Sequence, residues 1–245
     1  MMIIINGLHK DNSKIISVYD RGFTYGDGVF TTCLIKNGII DDWKLHYDRI
    51  KRHASHINLS PPADEFIQSS LQNLLESIKK NNYYSLRLIF SRGESARGLN
   101  IPASVQTQFF IIIDEIEPPQ TTPLKIIISE KVRRNEFSPL SNIKSLNYLD
   151  NIIAKNEAIT DGADDAIMLS TSGNVSCATS SNLFIREGNL WITPRTEDGA
   201  LDGIERYKKI LSGAIEDRIT TERLHKADEI ILTNSLWKNR QGILI

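Results

Sequence analysis

Glu115-Ile116-Glu117-Pro118-Pro119-Gln120-Thr121-Thr122-Pro123 divides the chain. Its three prolines lack a backbone donor and fix φ, so neither a helix interior nor a central strand passes through the stretch. The break sets an N-terminal domain over 1–117, a linker over 118–123 and a C-terminal domain over 124–245. Each half is close to the usual domain size, and a cleft between two such halves is the expected place for a ligand.

On both sides of the break the pattern mixes α and β. Strand-like runs are expected at Met2–Ile5, Val29–Ile35, Ser85–Ser91, Thr107–Ile113, Leu124–Ile128, Asp165–Leu169, Asn182–Ile185, Leu190–Thr193 and Glu229–Leu232. Amphipathic helical patterns lie between them at Trp43–Ile57, Asp64–Ile78, Tyr148–Ile159 and Ile204–Ile215. Lys36-Asn37-Gly38, Ser172-Gly173-Asn174 and Glu187-Gly188-Asn189 each punctuate two apolar runs, which favours antiparallel ribbons over a doubly wound parallel sheet. Gly26-x-Gly28 precedes a strand instead of following one, so it is not a dinucleotide loop.

Composition narrows the function classes. The chain has 245 residues, 40% of them hydrophobic, with a net charge of -1, which describes a globular protein with no global field for nucleic acid or an anionic membrane. Cys33 and Cys177 are far apart, which argues against a disulfide framework or structural zinc and suits a reducing compartment. The start, Met1–Lys10, is too short an apolar run for a secretion signal, and a cytoplasmic location is expected.

Several residues are candidates for chemistry. Lys144 sits in Asn142-Ile143-Lys144-Ser145-Leu146-Asn147-Tyr148 among apolar neighbours; burial would lower its pKa and make it nucleophilic, although by itself it also reads as a snorkelling lysine. Leu201-Asp202-Gly203-Ile204-Glu205-Arg206 opens a helix whose first amides could bind an anion, or which Asp202 simply caps. His46, Arg49 and His53 share a flank of the Trp43 helix: Arg49 could reach a phosphate, or the flank is merely solvated. Ser91-Arg92-Gly93-Glu94-Ser95-Ala96-Arg97-Gly98 could offer a guanidinium to a carboxylate, or is a surface loop.

The order of these pieces is more specific than any one of them. Asp20-Arg21-Gly22, Tyr25-Gly26-Asp27-Gly28-Val29-Phe30, His46-x-x-Arg49, Ser91-Arg92-Gly93, Lys144-Ser145-Leu146-Asn147, Asn182-Leu183-Phe184, Thr193-Pro194 and Leu201-x-Gly203-Ile204-x-Arg206 resemble the class IV aminotransferase family, from Asn6-Gly7 to about Asn234. The resemblance implies fold type IV: a mixed α+β protomer with a small N-terminal and a barrel-like C-terminal domain, paired in a homodimer, with pyridoxal phosphate in the interdomain cleft. It assigns Lys144 as the lysine that carries the cofactor. Arg49 and the backbone amides of Ile204 and Glu205 would hold the phosphate, with Asn234 or Thr233 completing the cradle and Tyr148 near the ring hydroxyl.

Three branches of the family differ at few positions. The D-amino-acid branch traps a carboxylate with an aromatic hydroxyl, an arginine and a histidine, where this chain has Phe30, Arg97 and Leu99. The branched-chain branch has a glycine where Thr32 stands and a longer chain. Phe30-Thr31-Thr32 with Ser91-Arg92-Gly93 and the compact length is most similar to the 4-amino-4-deoxychorismate lyase branch, which releases pyruvate to give 4-aminobenzoate for folate synthesis. Under that resemblance Lys144 is the base, Thr32 positions the ring oxygen or the leaving group, and Arg97 and Phe30 contact the substrate. One position departs: Cys177 stands where the family has a glutamate facing the pyridine nitrogen. Two expectations follow, a lyase that tolerates a weaker electron sink, or a member that has lost catalysis and serves by binding.

Overall fold

The computed structural model describes residues 2–10 and 16–245. The chain forms two compact units, one running to Pro118 and including Lys144–Asn147, the other made of Pro119–Ile143 and Tyr148–Ile245.

The first unit contains β1 (Met2–Ile5), β2 (Leu8–Lys10), α1 (Arg21–Tyr25), β3 (Gly28–Lys36), β4 (Ile39–Ile40), α2 (Trp43–His56), α3 (Asp64–Ser77), β5 (Tyr83–Ser91) and β6 (Gln108–Ile116). Its strands form one sheet in the order β2-β1-β6-β5-β3-β4, antiparallel at every pairing. Alternation decides its two faces. Val29, Thr31, Cys33 and Ile35 of β3 are buried with Tyr84, Leu86, Leu88 and Phe90 of β5 and Phe109, Ile111 and Ile113 of β6. The helices cover that face: Phe66 of α3 meets Phe109 edge-on at 5.3 Å, and Ile50, Ala54, Ile67, Leu71 and Leu74 are buried. Each large aliphatic or aromatic side chain so covered contributes about 1.5–3 kcal/mol. The opposite face carries Phe30, Thr32 and Arg87, the last of them exposed.

The second unit contains β7 (Leu124–Arg134), α4 (Leu149–Thr160), β8 (Asp165–Ser170), β9 (Val175–Ala178), β10 (Asn182–Glu187), β11 (Leu190–Pro194), α5 (Ile204–Leu211), β12 (Ile215–Asp217), α6 (Thr221–Lys226), β13 (Glu229–Asn234) and β14 (Lys238–Leu244). They build a sheet in the order β12-β11-β10-β13-β14-β7-β8-β9. Val175 N–H of one edge strand donates to Ile219 O just past the other edge strand, at 2.8 Å, so the sheet curls around a core of Ile126, Ile167, Leu183, Ile185 and Leu232.

Each of the three hairpin signals joins antiparallel strands, β3–β4, β8–β9 and β10–β11. The expectation of antiparallel ribbons is corrected in the second sheet, where β11–β12, β14–β7 and β7–β8 are parallel. Local turn residues specify only neighbouring strands; α4 lies between β7 and β8 as a crossover, which makes that pair parallel. The helix expected to reach Ile215 ends at Leu211, because Gly213 takes φ +105° and Ile215 enters β12. No helix among the described residues is long and apolar enough to cross a membrane.

Lys144–Asn147 leaves the second unit to join the first as a strap beside β3. Phe30 N–H donates to Lys144 O at 2.9 Å and Leu146 N–H to Gly28 O at 3.0 Å, with Val29 and Ser145 as an antiparallel bridge. Asn147 Nδ2 closes the far end on Gly26 O at 3.0 Å.

Candidate active site

The strap presents the lysine. With its main chain tied to β3, Lys144 turns its ammonium to 4.4 Å from the centroid of the Phe30 ring. Phe30 and Thr32, two residues apart, share the sheet face that the helices leave open. Directly opposite Thr32 in register is Arg87 of β5, whose guanidinium lies 5.4 Å from the same Phe30 ring. An aromatic floor, a hydroxyl, an amine and an exposed cation therefore converge there. Arg87 was not among the expected site residues. Its signal was legible all the same, as the one charge in the alternating run Tyr83–Ser91, out of phase with Leu86 and Leu88.

The other side of β3 is held by α2. Thr31 Oγ1 lies 2.7 Å from His46 Nδ1 and accepts from Arg49 Nη2 at 3.2 Å, while His53 Nδ1 accepts the Lys144 N–H at 3.1 Å. The flank His46, Arg49, His53 is thus buried, not solvated. Its histidines meet a hydroxyl and a peptide N–H. Arg49 is a buried cation touching β3.

Arg97 is exposed, on a loop that borders a cavity of about 380 Å³ with Ser95, Gly98 and Asn100. The buried arginines of this region are Arg21 and Arg92. Asp27 accepts from Arg21 Nε at 2.8 Å and Arg92 Nε at 2.7 Å, and Arg21 Nη1 reaches Gly98 O at 2.9 Å and Ser95 Oγ at 3.3 Å. Burial pushes the Asp27 carboxyl up, but the hydrogen bonds from Arg92 and Arg21 outweigh it and hold the group below the usual carboxylate range. Arg21 thereby ties the loop bearing Arg97 to the start of β3.

In the second unit a separate corner brings together donors of the kind an anion needs. The N-cap of α5 is Gly203, which has no side chain of its own to cap with, so the first-turn amides of Ile204 and Glu205 are the donors an anion would meet there. Asn182 packs against that start: its Nδ2 donates to Leu201 O at 2.7 Å, and a Cβ at position 203 would overlap its Oδ1. Thr233 is the register partner of Asn182. The hydroxyls of Thr233 and of Ser181, one residue before Asn182, are buried without a hydrogen-bond partner, a condition that calls for one. Between the two residues expected to complete this corner, Asn234 uses its Oδ1 on the amides of Leu236 and Trp237 at 3.0 and 3.1 Å, so Thr233 carries the open hydroxyl. The Glu205 carboxylate is bound to Lys238 at 2.9 Å, so that residue can offer an anion only its backbone.

Tyr148 is half-buried at the N-cap of α4. Cys177, in β9, is 6% exposed and packs among Val132, Ala154, Ala158, Ala163, Ala166 and Met168. Ser176 Oγ lies 3.9 Å from its sulfur.

Residues 28–242 match the family model described as amino-transferase class IV. The chain is 30% identical to a Methanocaldococcus jannaschii protein described provisionally as a branched-chain-amino-acid aminotransferase, over 96% of this chain and 84% of that protein. It is 31% identical to the aminodeoxychorismate lyase of Bacillus subtilis, over 96% of this chain and 83% of that protein. Among solved structures, the branched-chain aminotransferase of Thermoproteus uzoniensis superposes with a TM-score of 0.88 at 25% identity, covering 100% of this chain and 87% of that one.

Proposed function

Since the chain belongs to the class IV aminotransferase family, we propose that it is a pyridoxal-phosphate lyase that removes the enolpyruvyl group of 4-amino-4-deoxychorismate as pyruvate, leaving 4-aminobenzoate, and that it works as a cytoplasmic homodimer. The observation that carries this reading is the row Phe30, Thr32 and Arg87 beside the Lys144 ammonium. A cyclic substrate with an ether-linked leaving group has use for a hydroxyl and an apolar ring surface on that face, besides the cation that any amino-acid carboxylate needs.

The residues fit the family's cofactor. In the second unit the buried hydroxyls of Thr233 and Ser181, without a hydrogen-bond partner beside a glycine-capped helix start, suit a phosphate, and in the first unit Lys144 offers an amine suited to an aldehyde. When bound, pyridoxal phosphate supplies an electron sink for the carbon that bears the substrate's amine. Lys144 Nζ takes the proton from that carbon as general base. Thr32 Oγ1 orients the departing enolpyruvyl oxygen. Arg87, with Arg97, receives substrate carboxylate. The Phe30 ring gives the substrate's six-membered ring a flat apolar surface.

Cys177 favours elimination over transamination. A thiol is a weak donor and cannot serve a ring nitrogen as a carboxylate does, so the sink is weaker. A reaction whose product becomes aromatic draws part of its driving force from the substrate and asks less of the sink. The exposed apolar residues Val18, Tyr19, Phe23, Leu99 and Ile101, in segments joined through Arg21, support pairing with a second copy.

The test is the visible spectrum of the purified protein with pyridoxal phosphate, before and after aminodeoxychorismate, with Lys144→Ala as control. A band that requires Lys144, followed by 4-aminobenzoate, is expected. A band without product would replace the lyase by an aminotransferase, and no lysine-dependent band would overturn the reading altogether.

A further inference from the structure

We propose that His53 is a positioning residue for Lys144, fixing the peptide unit from which the reactive side chain departs. The inference rests on Lys144 being the cofactor-bearing lysine, and it is argued from the strap's own geometry. The strap is anchored by two backbone bonds to β3 and, at its far end, by Asn147 to Gly26. The lysine's carbonyl is held by one of those backbone bonds, whereas its N–H is held by a side chain: His53 Nδ1 accepts it at 3.1 Å, from a ring only 2% exposed in the last turn of α2.

That bond fixes the ring's chemistry as well as the strap. Accepting an N–H requires the lone pair on Nδ1, so the proton of the neutral imidazole sits on Nε2. His46, two turns earlier on the same flank, applies its own Nδ1 to Thr31 of β3. One helix face thus holds both the strand that carries Phe30 and Thr32 and the strap that carries Lys144. A lysine has four rotatable side-chain bonds, and its amine is placed only as well as its Cα is. Letting the 143–144 peptide rotate would displace the amine from its position over Phe30, and small displacements of a reacting group are costly.

Two full-chain variants test this. His53→Leu removes the acceptor, whereas His53→Asn keeps an acceptor oxygen near the place of Nδ1. The first readout is amide hydrogen–deuterium exchange of the peptide spanning 142–147 in cofactor-free protein. The second is the rate of borohydride-trapped pyridoxal-phosphate adduct at Lys144, read by mass spectrometry. The Leu variant should speed strap exchange by about tenfold and slow adduct formation, with the urea midpoint checking global folding, and the Asn variant should recover both. Unchanged strap exchange in the Leu variant, or an Asn variant no better than Leu, would overturn the proposal. Adduct forming equally well in Lys144→Ala would instead sink the assignment of Lys144, and the exchange measurement would still decide whether His53 holds the strap.

Discussion

Gly203→Ala should change the size of its effect according to what stands at position 182. Gly203 has φ -69° and ψ 150°, a conformation open to any residue, so the backbone itself accepts alanine. Replacing glycine gains about 0.4–1 kcal/mol through the unfolded chain, but alanine is a poorer N-cap than glycine by a similar amount, so the two nearly cancel. Here the new Cβ would overlap Asn182 Oδ1, and the side chain must swing away from Leu201 O, to which it donates at 2.7 Å. Losing that part-buried bond costs about 1–3 kcal/mol, which stands as the net loss. In an Asn182→Ala background the obstacle is gone, and Gly203→Ala should be close to neutral. Urea midpoints of the four proteins form the cycle. The same substitution should weaken pyridoxal phosphate about tenfold in the Asn182 background alone, because only there is the helix start pushed aside. Equal effects of Gly203→Ala in both backgrounds would refute the steric argument and, with it, the placement of Asn182 at the mouth of the anion corner.

The remaining expectations concern single groups. Thr31→Val keeps shape but removes the buried oxygen shared by His46 and Arg49, and should cost about 1–3 kcal/mol by urea unfolding; a neutral result would detach α2 from β3. Arg87→Met should raise KM for aminodeoxychorismate by about ten- to a hundredfold with a smaller change in kcat, and an unchanged KM would remove Arg87 from the substrate site. Cys177→Glu should raise transamination more than elimination; if both respond equally, the weak-sink reasoning fails. Burial pushes the Glu136 carboxyl up, yet hydrogen bonds from Ser172 and Thr171 prevail and bring it from 4.5 down to about 2. Because the folded value lies below the unfolded one, its stabilisation is complete above about pH 4.5 and fades toward about pH 2. The gap in urea midpoint between wild type and Glu136→Gln should therefore close with falling pH across that window, and a constant gap would contradict it.

What could be seen in the sequence was local. Asn37-Gly38 takes φ of 56° and 75°, and that pair of left-handed residues identifies its hairpin without knowledge of the rest of the chain. Lys238-Asn239-Arg240-Gln241-Gly242 has no apolar alternation to announce a strand, yet it forms most of β14 because β13 and β7 both offer it a ladder. Gly242 fits there because a Cβ would press on Ile126. The parallel pairs and the strap at 144–147 escaped for the same reason: nothing in a stretch's own residues says which distant edge will pair with it. Lys144 and the α5 start were legible as chemistry, whereas Arg87 showed only as a lone charge within a strand and His53 only as one of three polar residues on a helix flank.

His46, Arg49 and His53 show why such residues are hard to assign from pattern. Polar side chains at steps of three and four usually mark the wet side of a helix, and the hydrophobic stripe of α2 is intact without them. They are buried because β3 and the strap bring partners to them: a threonine hydroxyl on an otherwise apolar sheet face, and a peptide N–H at its edge. A buried polar group is tolerable only when paired, so the three residues and their partners must fold together or not at all. This coupling gives the helix a second task besides covering the core. Whatever displaces α2 displaces the strand and the strap with it, and thereby Phe30, Thr32 and Lys144 as a set, so their placement depends on a helix that packs on the other face of the sheet from Phe30 and Thr32.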